Sequence, residues 1–180
     1  MTQPVNPVFY DCEASGVDGV PIEIGWAIVE EDGGEIVSES HLVKPPKSWC
    51  IEARWDPCAE ALHGIALVQL ASQGRLPFEI ARRMNAALAG RELFSDSPMD
   101  EAWTRQLFDE AGEDPAFLLR RTDANIVIAA FARSQGVGDA ALAEVRKEAE
   151  RRSPRTHRAE ADARFWAELW LMLSTKGSPA

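Results

Sequence analysis

Cysteine is scarce: Cys12, Cys50 and Cys58 form no CxxC pair, and an odd number cannot all pair with one another. That excludes a disulfide framework and a thiolate zinc site, and it fits a reducing cytoplasm. There is no run of about 18 apolar residues, so no membrane span is expected. The opening MTQPVNP has neither the basic start nor the apolar segment of a secretion signal. Positive charge is also short, with 19 Lys and Arg against 29 Asp and Glu for a net charge of −10. Such a balance argues against sequence-independent coating of nucleic acid, which needs a basic surface. It does not exclude an enzyme acting on nucleic acid, because carboxylates that hold metal ions add negative charge that the ions offset locally. What is present, 46% hydrophobic and 27% charged residues over 180 positions, is ordinary for one folded domain with its own core.

Residues 8–12 (VFYDC) read as a first strand. Residues 22–31 alternate Ile, Ile and Trp with smaller or polar residues, as a second strand does. DGG at 32–34 is a hairpin turn, and 35–45 is a third strand stopped by Pro45 and Pro46. A long connection over 45–64 contains Trp49 and Trp55. After Pro77, Ile80, Met84 and Leu88 fall four apart on one helical face. Residues 92–97 predict a short strand, 100–112 a helix ended by Gly112, and 117–123 a fifth strand. Helices follow at about 124–134, 139–152 and 159–173, and residues 174–180 read as a frayed tail. The order predicts a single α/β domain over 1–173, a mixed five-stranded sheet with three antiparallel strands first, flanked by helices.

Three groups of residues carry chemistry. Asp11 and Glu13 end the first strand, and i and i+2 share a strand face, so two carboxylates converge while Cys12 points away. About four or five acidic i,i+2 pairs are expected by chance in such a composition, so the spacing alone is weak. Its place at the end of an apolar strand, with no Lys or Arg nearby in sequence, suits a divalent cation between the two, or else a solvated strand end. The second group, FSDSPMDEAW, offers Asp96 and Asp100 at the start of a helix, where acidic residues also stabilise the helix N-terminus electrostatically. In the third, HRAEAD, His157 stands five residues before Asp162. Mid-helix the two would point about 140° apart, but with His157 in the loop before the helix both can face one cleft.

Taken together, in this order and on this plan, YDCEASG, FSDSPMDEAW and HRAEAD resemble the motifs of the DEDDh family of 3′→5′ exonucleases, from Asp11 to Asp162. The resemblance implies a ribonuclease H-like fold and a two-metal hydrolysis of phosphodiester bonds. It further implies Mg²⁺ or Mn²⁺ held by Asp11, Glu13, Asp100 and Asp162, with His157 as general base. The substrate would be the 3′ end of single-stranded DNA or RNA, and relatives of this kind leave a homodimer open. The second motif departs from the usual His-Asn-x-x-Phe-Asp: Ser95, Asp96 and Met99 replace its His, Asn and Phe. Ala14 and Ser15 stand where many members have threonines that contact the substrate terminus. Arg152, Arg155 and Arg158, in the densest basic stretch, are candidates to hold phosphates, or else belong to a solvated helix face with glutamate partners. Trp49 and Trp55 could stack on a base or anchor their loop, and His63 in LHGI could order that loop or line the cleft. Two alternatives remain open: a phosphodiesterase for very short oligonucleotides or small nucleotides, and a catalytically silent binding module on the same fold.

Overall fold

The computed structural model describes residues 7–30 and 35–176. Its first three strands follow the alternation of the sequence. β1 (Val8–Ala14) pairs antiparallel with β2 (Pro21–Val29), and β2 pairs antiparallel with β3 (Ile36–Leu42). The expected turn at 32–34 lies outside the described residues. β4 (Glu92–Phe94) joins β1 in parallel, and the two-residue β5 (Leu118–Leu119) joins β4, giving the order β3-β2-β1-β4-β5. This is the five-stranded mixed sheet expected. β1 runs two residues beyond position 12, which places both Asp11 and Glu13 inside the strand.

Seven helices are described: α1 (Pro57–His63), α2 (Leu67–Gln73), α3 (Pro77–Leu88), α4 (Pro98–Ala111), α5 (Ala124–Ser134), α6 (Asp139–Arg152) and α7 (Ala159–Lys176). The stretch 45–64, expected as an irregular connection, holds two short 3-10 turns and α1. α1 begins where Asp56 accepts the Cys58 N–H at 2.8 Å and Pro57 fits the first helical position. α4 ends at Gly112, whose φ of 64° is the left-handed conformation that closes a helix without a Cβ penalty. α7 continues to Lys176, three residues past the expected helix end at 173; residues 177–180 lie outside the description.

The sheet separates two apolar layers. Val8, Tyr10 and Cys12 of β1 join Ile22, Ile24, Trp26 and Ile28 of β2 beneath α3 and α4, where Trp26, Met84 and Leu107 are at most 1% exposed. On the other face Phe9, Ala27 and Val29 meet α5, α6 and the Phe165–Trp166–Leu169–Trp170 stripe of α7. Each large side chain buried this way contributes about 1.5–3 kcal/mol, so a strand covered on both faces is fixed in register by its side chains. Among the described residues no helix is long and apolar enough to cross a membrane.

Candidate metal centre

The alternation that sends Tyr10 and Cys12 toward α4 puts Asp11 and Glu13 on the α7 face of β1. Their cross-strand partners on β2 are Gly25 and Glu23, and each makes room for α7. A Cβ on Gly25 would stand 2.5 Å from the Glu160 backbone nitrogen. Only glycine therefore lets the first turn of α7 lie directly on the sheet and carry Asp162 to the end of β1.

Glu23 fastens the same turn. It is 1% exposed and receives Arg158 Nε at 2.9 Å and Nη2 at 2.8 Å, the Ala159 N–H at 3.1 Å and the Ser40 hydroxyl at 3.0 Å. Burial alone would raise its pKa; these donors outweigh burial and hold Glu23 ionised below the usual carboxylate range. Arg158→Ala would leave that carboxylate buried and unpaired. Because the guanidinium side is partly solvated, the expected loss is about 2–4 kcal/mol, or roughly 5–15 °C in melting temperature. A thermal melt shifted by less than about 2 °C would show that the pair is not what anchors α7.

Between α6 and α7 the chain passes through His157, whose φ of 53° is uncommon for a side-chain-bearing residue. The loop is pinned on both sides: the Arg155 N–H donates to Glu150 at 3.1 Å and the Thr156 N–H to Asp162 Oδ1 at 2.9 Å. The exposed imidazole is thereby brought to Glu13 and Asp162. One ligand atom from each of Glu13, His157 and Asp162 lies within 4.8 Å of the other two. A second triad adjoins it, with Asp11, Asp96 and Asp100 meeting the same criterion. Ser97 caps α4 by accepting the Met99 N–H at 3.2 Å, and Pro98 follows, so Asp100 falls in the first helical turn. Asp100 is 1% exposed, and its Oδ2 has no hydrogen-bond partner.

Burial and mutual repulsion disfavour the ionised form of each of these groups. Burial first, then Asp100, Glu13 and Asp162, push Asp11 well above the carboxylate range. Glu13 rises to about 8 through burial and then Asp162 and Glu23. Asp100 also rises to about 8, through burial and then Asp96. Burial raises Asp96 and Asp162 as well, against Arg155 at Asp96 and against the Thr156 N–H, His157 and then Arg155 at Asp162. A buried carboxylate oxygen with no donor, set among further carboxylates, is a donor set of hard oxygens that fits Mg²⁺ or Mn²⁺.

The residues considered for substrate contact are dispersed. Arg158 is spent on Glu23. Arg152 lies on the open face of α6, paired with Glu148 at 2.8 Å. Arg155 alone of the three reaches the acidic cluster, with Nη1 3.5 Å from Asp96 Oδ2, its guanidinium also 3.6 Å from Glu150 and over the Phe165 ring. Ala14 and Ser15 are buried, and the Ser15 hydroxyl accepts the Val20 N–H at 3.0 Å inside the β1–β2 turn. His63 is buried with Nδ1 accepting the Ile65 N–H at 3.0 Å and Nε2 unpartnered, and burial lowers its pKa. Trp49 is part of the core at 6% exposure, so its ring is not presented for stacking. Trp55 donates to Glu60 at 2.6 Å and meets His63 edge-on, so it braces α1. A cavity of about 580 Å³ adjoins Asp96 and is rimmed by Arg105, Arg120 and Arg121.

The sheet order, with carboxylates at the end of the first strand, matches the fold of several solved structures. Exonuclease I of E. coli in complex with a dA16 oligonucleotide superposes with a TM-score of 0.68 at 18% identity, over 95% of this chain and 41% of that one. Exonuclease X in complex with 5′ overhanging duplex DNA gives 0.57 at 21% identity, over 96% and 94%. A moderately thermophilic exonuclease I from Methylocaldum szegediense gives 0.53 at 19%, over 72% and 30%. The chain thus spans about two fifths of E. coli exonuclease I, at 41%. No protein-family model matches it, and no curated protein is significantly similar in sequence.

Proposed function

We propose that the chain is a metal-dependent 3′→5′ exonuclease of the DEDDh type, a single domain that releases nucleoside 5′-monophosphates from single-stranded nucleic acid. The observation that carries this reading is the pair of adjoining triads, one acidic and one with a histidine, around a buried carboxylate oxygen that has no donor. Glu13 and Asp162 would hold one Mg²⁺ or Mn²⁺, Asp100 the other, and Asp11 would serve both. Two such ions, when bound, stabilise charge on the attacking and leaving oxygens at phosphorus. His157, exposed beside Glu13 and Asp162, takes the proton of the attacking water, a task suited to an imidazole near neutral pH. Water adds to phosphorus, the bond to the preceding 3′ oxygen breaks, and the released unit keeps its 5′ phosphate. The exonuclease I and X structures hold DNA, which supports DNA as the first substrate to try, and the arginine-rimmed cavity beside Asp96 suits a phosphate-bearing strand. Unpaired Cys50 and Cys58, both exposed, suit a reducing cytoplasm.

One observation favours a second reading, a phosphodiesterase for very short oligonucleotides. Arg158, Arg152 and Arg155 all face carboxylates, and the net charge is −10, which works against tracking a long strand. Incubation with 5′-labelled single-stranded DNA and RNA of graded length, in Mg²⁺, Mn²⁺ or EDTA, separates the two. A metal-dependent ladder shortening from the 3′ end of long strands is expected. Cleavage confined to dinucleotides would establish the second reading, and intact substrates throughout would leave neither.

A further inference from the structure

We propose that Asp96 is a direct ligand of the second metal ion, making that site a three-carboxylate site that loads before the site built on Glu13 and Asp162. The inference rests on the metal-dependent reading above. Its ground is the triad Asp11, Asp96 and Asp100, whose oxygens lie within 4.8 Å of one another, together with Asp100 Oδ2, which is buried at 1% residue exposure and has no partner. Such an oxygen is costly unless something bonds to it, and two further carboxylates lie within reach of Asp100.

Asp96 lies outside α4, before the capping Ser97, so the helix does not use it. The cation nearest to it is Arg155, at 3.5 Å, a weak contact for a guanidinium that also faces Glu150 and stacks on Phe165. Asp96 therefore has oxygen capacity to spare on the side of Asp11 and Asp100. The position is one where the resembled motif carries a neutral Asn. A full negative charge there strengthens attraction for a divalent cation over an amide oxygen of the same reach, because hard cations favour anionic oxygen. The companion triad has two carboxylates and an imidazole beside the shared Asp11, and neither Glu13 nor Asp162 carries a buried, unpartnered oxygen like that of Asp100. Arg155 stands two residues before His157, so Asp96 also joins the second site to the loop that serves the first.

Binding of Mn²⁺ alone, followed by the loss of free-ion EPR signal and by titration calorimetry without nucleic acid, tests this. The wild-type protein is expected to take up two ions with separable affinities. Asp96→Asn, which keeps the side-chain shape, is expected to weaken the tighter one by about 10–100-fold, and Glu13→Gln the looser one. Arg155→Gln is expected to leave both affinities intact or tighten the first, since it removes only a competing cation. Asp96→Asn with both affinities unchanged would overturn the assignment while leaving the metal-dependent reading in place, as would an Arg155→Gln loss that matches Asp96→Asn. A wild-type protein that binds no Mn²⁺ would overturn both.

Discussion

Asp11→Asn is expected to abolish nuclease activity and, in EDTA, to make the protein more stable. The two effects have one cause. Asp11 is the carboxylate on which all the others act: Asp100, Glu13, Asp162 and Asp96 each raise its pKa, after burial. It belongs to the triad with Asp96 and Asp100 and is repelled by Glu13 and Asp162 of the other, and under the proposed two-ion reading its loss removes a ligand from both sites at once. Removal of a single electrostatic contact in an active site commonly costs about 10²–10³ in rate, and a shared ligand costs about 10³ or more. In the ion-free protein the same substitution removes a buried like-charge contact while keeping the side chain's volume and its capacity for hydrogen bonds. A gain of about 1–2 kcal/mol is expected, or roughly 3–6 °C. Mg²⁺ should raise the melting temperature of the wild-type protein and do so much less for the variant, because binding stabilises only the form that binds. Cleavage of 5′-labelled single-stranded DNA and thermal melts with and without Mg²⁺ supply the readouts. Activity within tenfold of wild type would mean that the chemistry does not run through Asp11.

How far the site could be read from sequence depends on whether its determinants were local. The β1 carboxylates were legible because alternation on a strand fixes which side chains share a face, and Asp11, Glu13 and the apolar Val8–Phe9–Tyr10 obey it. His157 and Asp162 were legible through Pro154, which signals a loop before α7. α1 and α2 were not, since seven residues carry too few turns for a 3.6-residue period to stand out. The Asp56–Pro57 cap was the available signal for α1. The arginines show the limit of spacing arguments most clearly. Arg152 has its partner Glu148 four residues earlier, which a helical repeat reveals. Arg158 has its partner Glu23 at a sequence separation of 135, which nothing local reveals, and a residue that looked free for phosphate turned out to anchor the fold. Trp49 could stack on a base or anchor its loop; it is the anchor, and local sequence could not decide because its place in the core depends on the α4 side of the sheet. Asp96 was visible in the motif but had a competing explanation at a helix N-terminus. The Ser97 cap removes that explanation by placing Asp96 one position outside the helix.

The ion-free protein is expected to lose stability as pH rises from about 5.5 to 8.5, the reverse of the usual behaviour of a protein rich in carboxylates. The sign follows from proton uptake. Glu13 and Asp100 are raised to about 8 in the folded chain, against ordinary values of 4.5 and 3.8, so between those limits the folded chain binds more protons than the unfolded one. Stability from a raised pKa is fully present below the unfolded value and is lost as pH climbs through the folded one. Asp11 adds to the trend, being raised well above its ordinary value by burial and its neighbours. Glu23 works in the opposite sense, its depressed pKa giving stability that is lost only as pH falls below the ordinary carboxylate range, which lies outside this window. In EDTA the melting temperature should therefore drop by roughly 5–10 °C across the range. Saturating Mg²⁺ should flatten the drop, because the ions replace the protons as counter-charge, and their binding near pH 7 should release protons measurable as a buffer-dependent heat. An ion-free melting temperature that is flat or rises from pH 5.5 to 8.5 would mean that water reaches the carboxylates and keeps them charged. The cluster would then be an open acidic surface, and a tight metal centre would have to be sought elsewhere.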